Sequence, residues 1–329
     1  MNTCLTILST LLCISANLPA QQLPLATYQE IPQYQPYIAG GPHVSVWFGE
    51  RVALVIDGEK APENRNQKVI IEILKTLDET FAAFERITGV KPILNGPFPN
   101  HTTVEVSSKV GGGLAHHNRL GIAVGDGFFE KLYQRFEQGT KTLDQVFLYE
   151  IARNYWPPTF NPRIDYHTTK GPEDYGWWTV GFNNAMSIFL PSEITSITDM
   201  HYFGQNGRQF AEGMEKNLTT FLAGDYSWEE AWCVNLMPWS QRTSLNDLMT
   251  ALLIRLHREN GGNTFLKSLY REIPKLPPLK ARNDYQGARD NFYLASSLAA
   301  SKDLSNVFQE IRWEISDQAR TALRQQLAE

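Results

Sequence analysis

Residues 147–156 read FLYEIARNYW, a glutamate and an arginine set in an otherwise apolar and aromatic stretch near the middle of a 329-residue chain. Buried carboxylates and guanidinium groups are costly unless they are paired. Glu150 and Arg153, three apart, are neighbours on one helix face, and Tyr149 and Arg153, four apart, share a face as well. Two readings stay open. The pair is a surface ion pair, which contributes little, or a buried pair that belongs to a site. The pattern predicts a helix from about Leu143 to Trp156. Thr142 with Gln145 forms a capping box at its start, and Pro157-Pro158 stops it.

Upstream, residues 21–43 are rich in Pro, Gln and Tyr and read as an extended lead-in. VSVWFG and RVALVIDG read as two strands joined by a tight turn. Residues 67–86 carry Ile70, Ile73, Leu74, Leu77, Phe81 and Phe84 at helical spacing, ended by Gly89. TTVEVSS alternates as a strand, and the glycine-rich loop GGGLAHHNRLG follows, its glycines 111–113 read as a turn. LGIAV is a further strand and GFFEKLYQRF a helix. Downstream, a loop of Pro, Gly, Tyr and charged residues leads into WWTVGFNNAMSIFL, read as a mostly buried helix stopped by Pro191. Helices are expected at 207–222, 244–259, 264–273, 284–300 and 303–326. Ser244 with Asp247 forms a second capping box, and Gly261-Gly262 is a stop.

The composition is ordinary for a globular chain, 42% hydrophobic and 20% charged with net charge −5. No basic stripe points to nucleic acid. Residues 1–20 carry no charged side chain, and Leu5–Ile14 is apolar but too short to span a bilayer. This reads as a secretory leader cleaved near Ala20 and implies a secreted or periplasmic protein without a membrane span. Cys4 and Cys13 fall in that leader and only Cys233 remains, so no internal disulfide is expected. Asn100-His101-Thr102 and Asn217-Leu218-Thr219 fit the glycosylation sequon.

This order of elements resembles the gluzincin metallopeptidases. Those enzymes carry H-E-x-x-H on one helix and a glutamate on the next, often in W-x-x-E-G-x-A. The histidines and second-helix glutamate hold zinc, and the first-helix glutamate activates its water. NFYLASSLAASKDLSNVFQEIRW is similar to the helical end of the same enzymes. The resemblance implies an α+β fold, gluzincin-like, with a small mixed β/α N-terminal lobe (44–140) and a mainly helical C-terminal lobe (141–329) in one domain, 44–329.

Laid on the sequence, the first motif falls on Tyr149-Glu150-Ile151-Ala152-Arg153 and the second on Trp177-Trp178-Thr179-Val180-Gly181-Phe182. The glutamate is retained as Glu150. The three ligand positions hold Tyr149, Arg153 and Val180, so the resemblance implies a lost zinc site and no cofactor. The expected occupant of the cleft is a peptide or glycan, bound by Tyr149, Glu150, Arg153, Trp156, Trp177, Trp178 and Asn183. Oligomeric state stays open. The alternative is a metal-independent hydrolase in which Glu150 works as general acid/base with a second carboxylate, drawn from Asp165, Glu173 and Asp174. A different metal site built from His116, His117, His167 and His201 matches no known ligand spacing. The glycines at 111–113 lack the lysine of a phosphate loop.

Overall fold

Apolar side chains recurring every three to four residues build α1, Gln67–Thr88, whose Val69, Ile70, Ile73, Leu74, Leu77, Phe81 and Phe84 are all buried. Asn66 caps its start by accepting from the Lys68 amide, and Gly89 ends it at φ 70°, a left-handed position that suits glycine. The computed structural model describes residues 27–31, 44–57, 65–92, 98–115, 121–164, 177–225, 245–281 and 284–328.

α1 lies against a six-stranded sheet. Its strands are β1 (Thr27–Ile31), β2 (Val44–Phe48), β3 (Val52–Asp57), β4 (Thr102–Ser107), β5 (Gly113–Ala115) and β6 (Ile122–Gly125), in the order β1-β2-β3-β4-β6-β5. β1, β2 and β3 pair antiparallel, β3, β4 and β6 run parallel, and β5 closes one edge antiparallel to β6. Alternation along β3 divides the side chains between the two faces. Val52, Leu54 and Ile56 join the main core, whereas Ala53 and Val55 join a small cluster with Val44, Val46 and Phe98. Asp78 of α1 accepts from the amides of Glu50, Arg51 and Val52 at 2.8–2.9 Å and so fixes the β2–β3 turn to the helix. β1 lies inside the stretch expected as an extended lead-in, and β5 inside the stretch expected as a glycine-rich loop.

α2 (Asp126–Glu137) follows β6 directly. The helix expected from Leu143 begins later, as α3 (Gln145–Asn154), because Thr142–Asp144 forms strand β7. β7 pairs in parallel with β8 (Asp199–Tyr202), which turns through Phe203 and Gly204 into β9 (Gln205–Asn206). Strand pairing thus takes the place of the expected Thr142–Gln145 capping box. Asp144 stands at the N-cap but turns its carboxylate to Arg135 and to His201 Nδ1, the latter at 3.1 Å.

The remaining helices are α4 (Trp177–Phe189), α5 (Gly207–Ala223), α6 (Leu245–Glu259), α7 (Asn263–Glu272), α8 (Tyr285–Ala300), α9 (Ser305–Glu310) and α10 (Asp317–Ala328). The single helix expected over 303–326 is therefore two. Arg312 breaks it at φ 59° and donates to the carbonyls of Leu222 and Gly224 at the end of α5, while Trp313 turns into the core. Ser244, and with it the second expected capping box, lies outside the described residues. Among the described residues no helix is long and apolar enough to cross a membrane.

Candidate functional site

α3 packs between the sheet edge and α4, and Glu150 points towards that edge. Glu150 is 4% exposed and accepts from Arg153 Nη1 through Oε2 at 3.0 Å. It also accepts from the backbone amide of Ala115. The Arg153 side chain keeps 23% of its surface open. The pair is therefore neither a surface ion pair nor fully enclosed. Its carboxylate is sealed and its guanidinium reaches the surface.

Strand β5 is shaped to receive this helix. The Gly125 amide donates to the Gly112 carbonyl at 2.7 Å, and Leu114 lies opposite Ala123. By antiparallel alternation the backbone groups of Gly113 and Ala115 therefore face away from β6, towards the free edge. Ala115 spends its amide on Glu150. A Cβ at Gly113 would stand 2.5 Å from Glu150 Cγ and 2.6 Å from Val146 Cγ2, so only glycine lets strand and helix approach this closely.

Asn154, one turn beyond Glu150, fixes the far side. Its Nδ2 donates to the carbonyl of Glu150 at 3.1 Å and to that of Gly121 at 3.4 Å. Tyr155 donates from its hydroxyl to the Phe81 carbonyl at 2.8 Å and stacks on Phe84. Gln145 Nε2 donates to Asn184 Oδ1 at 3.1 Å and ties α3 to α4.

Burial dominates the electrostatics. It pushes the Glu150 carboxyl above its usual range, against the opposing pull of Arg153 and the Ala115 amide. Burial also raises the Tyr149 hydroxyl, with Glu150 adding to the effect and Arg153 and Asn183 opposing it. Tyr149 thus stays a neutral phenol at physiological pH. Asn183 of α4, 2% exposed, hydrogen-bonds to that hydroxyl, in a geometry that leaves its buried Nδ2 poorly satisfied.

The structure thus brings Tyr149, Glu150, Arg153 and Asn183 together. It does not bring the tryptophans to a cleft. Trp156 is 1% exposed, packs edge-on against Phe160 and Phe182, and donates to Asn161 Oδ1 at 2.6 Å. Trp178 is wholly buried against Phe292 and Trp313. Both are core residues rather than ligand platforms, because the faces that carry them meet α8 and the helical core. The Trp177 side chain, His116, His117, His167, Asp165, Glu173 and Asp174 lie outside the described residues. His201 pairs with Asp144 at the start of α3. No group of three His, Cys, Asp or Glu suited to a metal ion occurs among the described residues. The contribution of Gly113 and Ala115 went unread in the sequence. Its one signal was the glycine run, which also fits a turn.

Comparison with solved structures gives this arrangement a context. A metallopeptidase from Bacteroides thetaiotaomicron superposes with TM-score 0.52 at 13% identity, over 85% of this chain and 45% of that one. The fold is metallopeptidase-like. A functionally unknown conserved protein from Bacillus anthracis str. Ames gives TM-score 0.58 at 13% identity, covering 84% of this chain and 50% of that one. A mutant form described in the same terms gives 0.59 at 14%, covering 85% and 51%. The chain spans about half the length of these structures, and at such identities the likeness concerns the fold alone. No protein-family model matches the sequence, and no curated protein matches it.

Proposed function

We propose that this chain is a gluzincin-like protein that has lost its zinc site and that binds a peptide or glycan in the former catalytic cleft. The observation that carries the reading is the pairing of Arg153 with the buried Glu150 at 3.0 Å, one helical turn from Tyr149. In H-E-x-x-H enzymes those flanking positions are both histidines. The donor set here does not suit zinc. A guanidinium stays protonated and repels a cation, a phenol held above its usual pKa is a poor ligand, and Val180 has no donor atom. The cationic head of Arg153 supplies the positive charge beside Glu150 that a metal would otherwise supply. A leader in residues 1–20 and a secreted or periplasmic location belong to the same proposal, as does a single domain over 44–329.

A metal-independent hydrolase is the second reading. Burial raises the Glu150 carboxyl, which is the state a general acid needs.

Glu150→Gln separates the two, because glutamine keeps the shape but cannot exchange a proton. For a binding protein the variant folds and retains its ligand. For a hydrolase, turnover of peptide or glycan substrates collapses while binding persists. The variant also carries a pH signature. A carboxyl whose folded pKa is raised favours the folded state fully below its unfolded value near 4.5, and loses that contribution as pH rises through the folded value. Wild type is therefore expected to lose stability relative to Glu150→Gln as pH rises from 4 to 8, as read by urea denaturation. A constant difference across that range would contradict the buried carboxyl.

A further inference from the structure

Away from the Glu150–Arg153 pair, the C-terminal end of α1 opens into a hollow of about 380 Å³. That volume falls within the roughly 300–1,000 Å³ of small-ligand pockets. Ala82, Glu85, Arg86, Val90 and Lys91 line it around the Gly89 cap, and Arg51 reaches in from the β2–β3 turn. Three cations thus face one carboxylate. Glu85 takes Arg51 Nη1 at 2.9 Å, and Arg86 Nη2 donates to the Glu193 carbonyl at 2.9 Å, so each guanidinium keeps further N–H groups for another acceptor. Among the described residues no carboxylate pairs with Arg86 or Lys91. The Glu193 carboxylate turns instead to Asn263 Nδ2, at 2.6 Å. Lys267 of α7 brings a fourth positive charge, its Cε 3.6 Å from where a Cβ of Gly89 would stand.

The helix end accounts for one of these cations, because Arg86 in the last turn complements the negative end of α1. It does not account for Arg51, Lys91 and Lys267. They come from a strand turn, from the segment beyond the cap and from another helix, and their mutual repulsion opposes folding. Arg51 is also fixed in place, since its amide and those of Glu50 and Val52 donate to Asp78. The amides of Gly89 and Val90 donate to the Glu85 carbonyl and to Thr88 Oγ1, which leaves recognition to the side chains.

We propose that this hollow binds a phosphate monoester, carried by a small molecule or a lipid headgroup. The three lining cations outnumber Glu85 by two, which matches the nearly double negative charge of a monoester at neutral pH. Arg51 and Arg86 supply planar forks suited to its oxygens, and Lys91 supplies a point charge. A sulfate ester or a carboxylate carries a single charge and offsets less of the repulsion. The site is separate from the Glu150–Arg153 pair and does not depend on what that pair binds.

Calorimetry of the full chain in low salt at pH 7.5, where the monoester is close to doubly charged, tests the proposal with glucose 6-phosphate, glucose 6-sulfate and glucose. Flotation with phosphatidylcholine vesicles, with and without phosphatidic acid, tests the headgroup source. The phosphate is expected to bind about tenfold more tightly than the sulfate, the scale of one further charged hydrogen bond, and glucose not to bind. Lys91→Gln and Arg86→Gln are each expected to weaken the phosphate about fivefold, and Lys91→Glu to weaken it further. Glu85→Gln is expected to strengthen it by removing the acid that shares Arg51. Arg208→Gln, exposed on α5, is expected to leave the affinity unchanged. Melting curves confirm that each variant folds. Binding that requires phosphatidic acid and is lost in Lys91→Glu supports the site and assigns the phosphate to a lipid. Equal affinity for the phosphate and sulfate esters overturns the monoester assignment. Failure of every probe, or binding untouched by Lys91→Glu, overturns the site itself.

Discussion

Gly121→Ala is expected to lower the free energy of unfolding by about 4 kcal/mol, at the severe end of single substitutions. Gly121 sits at φ 93°, where an L side chain is strained, and an added Cβ would stand 1.9 Å from the Thr103 carbonyl oxygen. That contact is with the backbone of a central strand, so no rotamer change relieves it. Relief requires moving the entry to β6. The Gly121 carbonyl also accepts from Asn154, so the shift reaches α3 one turn from Glu150. Urea denaturation of wild type and variant checks the effect. A loss below about 1 kcal/mol would mean that the entry to β6 yields easily and that Asn154 is not held as described.

Trp178→Ala is the second large effect, expected to cost about 4 kcal/mol, typical of removing a buried indole. The ring is fully enclosed, with Phe292 at 4.8 Å and Trp313 at 5.5 Å between centroids, so truncation leaves a cavity bounded by α4, α8 and the turn before α10. The prediction discriminates because the sequence put Trp178 in a binding cleft. A cleft tryptophan would cost ligand affinity and little stability. A core tryptophan costs stability first. A melting temperature within a degree or two of wild type would restore the cleft reading.

The two tryptophans show where the sequence stops being informative. Aromatic residues beside a possible site look alike whether they line it or support it, and only the packing of α4 against α8 decides. By contrast, the apolar periodicity of α1 was legible because a long helix on a sheet must bury one stripe. The short elements were not. Thr142–Asp144 contains only three residues, and its extended state depends on pairing with Asp199–His201, more than fifty positions away. Local capping chemistry pointed to a helix start there, and distant pairing prevailed. Gly113 was hidden for a similar reason. A glycine needed for close approach of Glu150 reads, from the chain alone, like a glycine needed for a turn. Glu150, Arg153, Tyr149 and Asn183 were identifiable as candidates, yet the buried Asn183 amide beside Tyr149 and the half-open Arg153 emerged only from the folded arrangement.

The claim on which the rest depends is that the helix of Glu150 no longer carries a zinc site. Elemental analysis of the purified protein, after tag removal and light dialysis, tests it most directly. The account predicts zinc far below one equivalent per chain, unchanged in Arg153→Gln. About one zinc per chain would contradict it and would place the metal on ligands other than Tyr149, Arg153 and Val180.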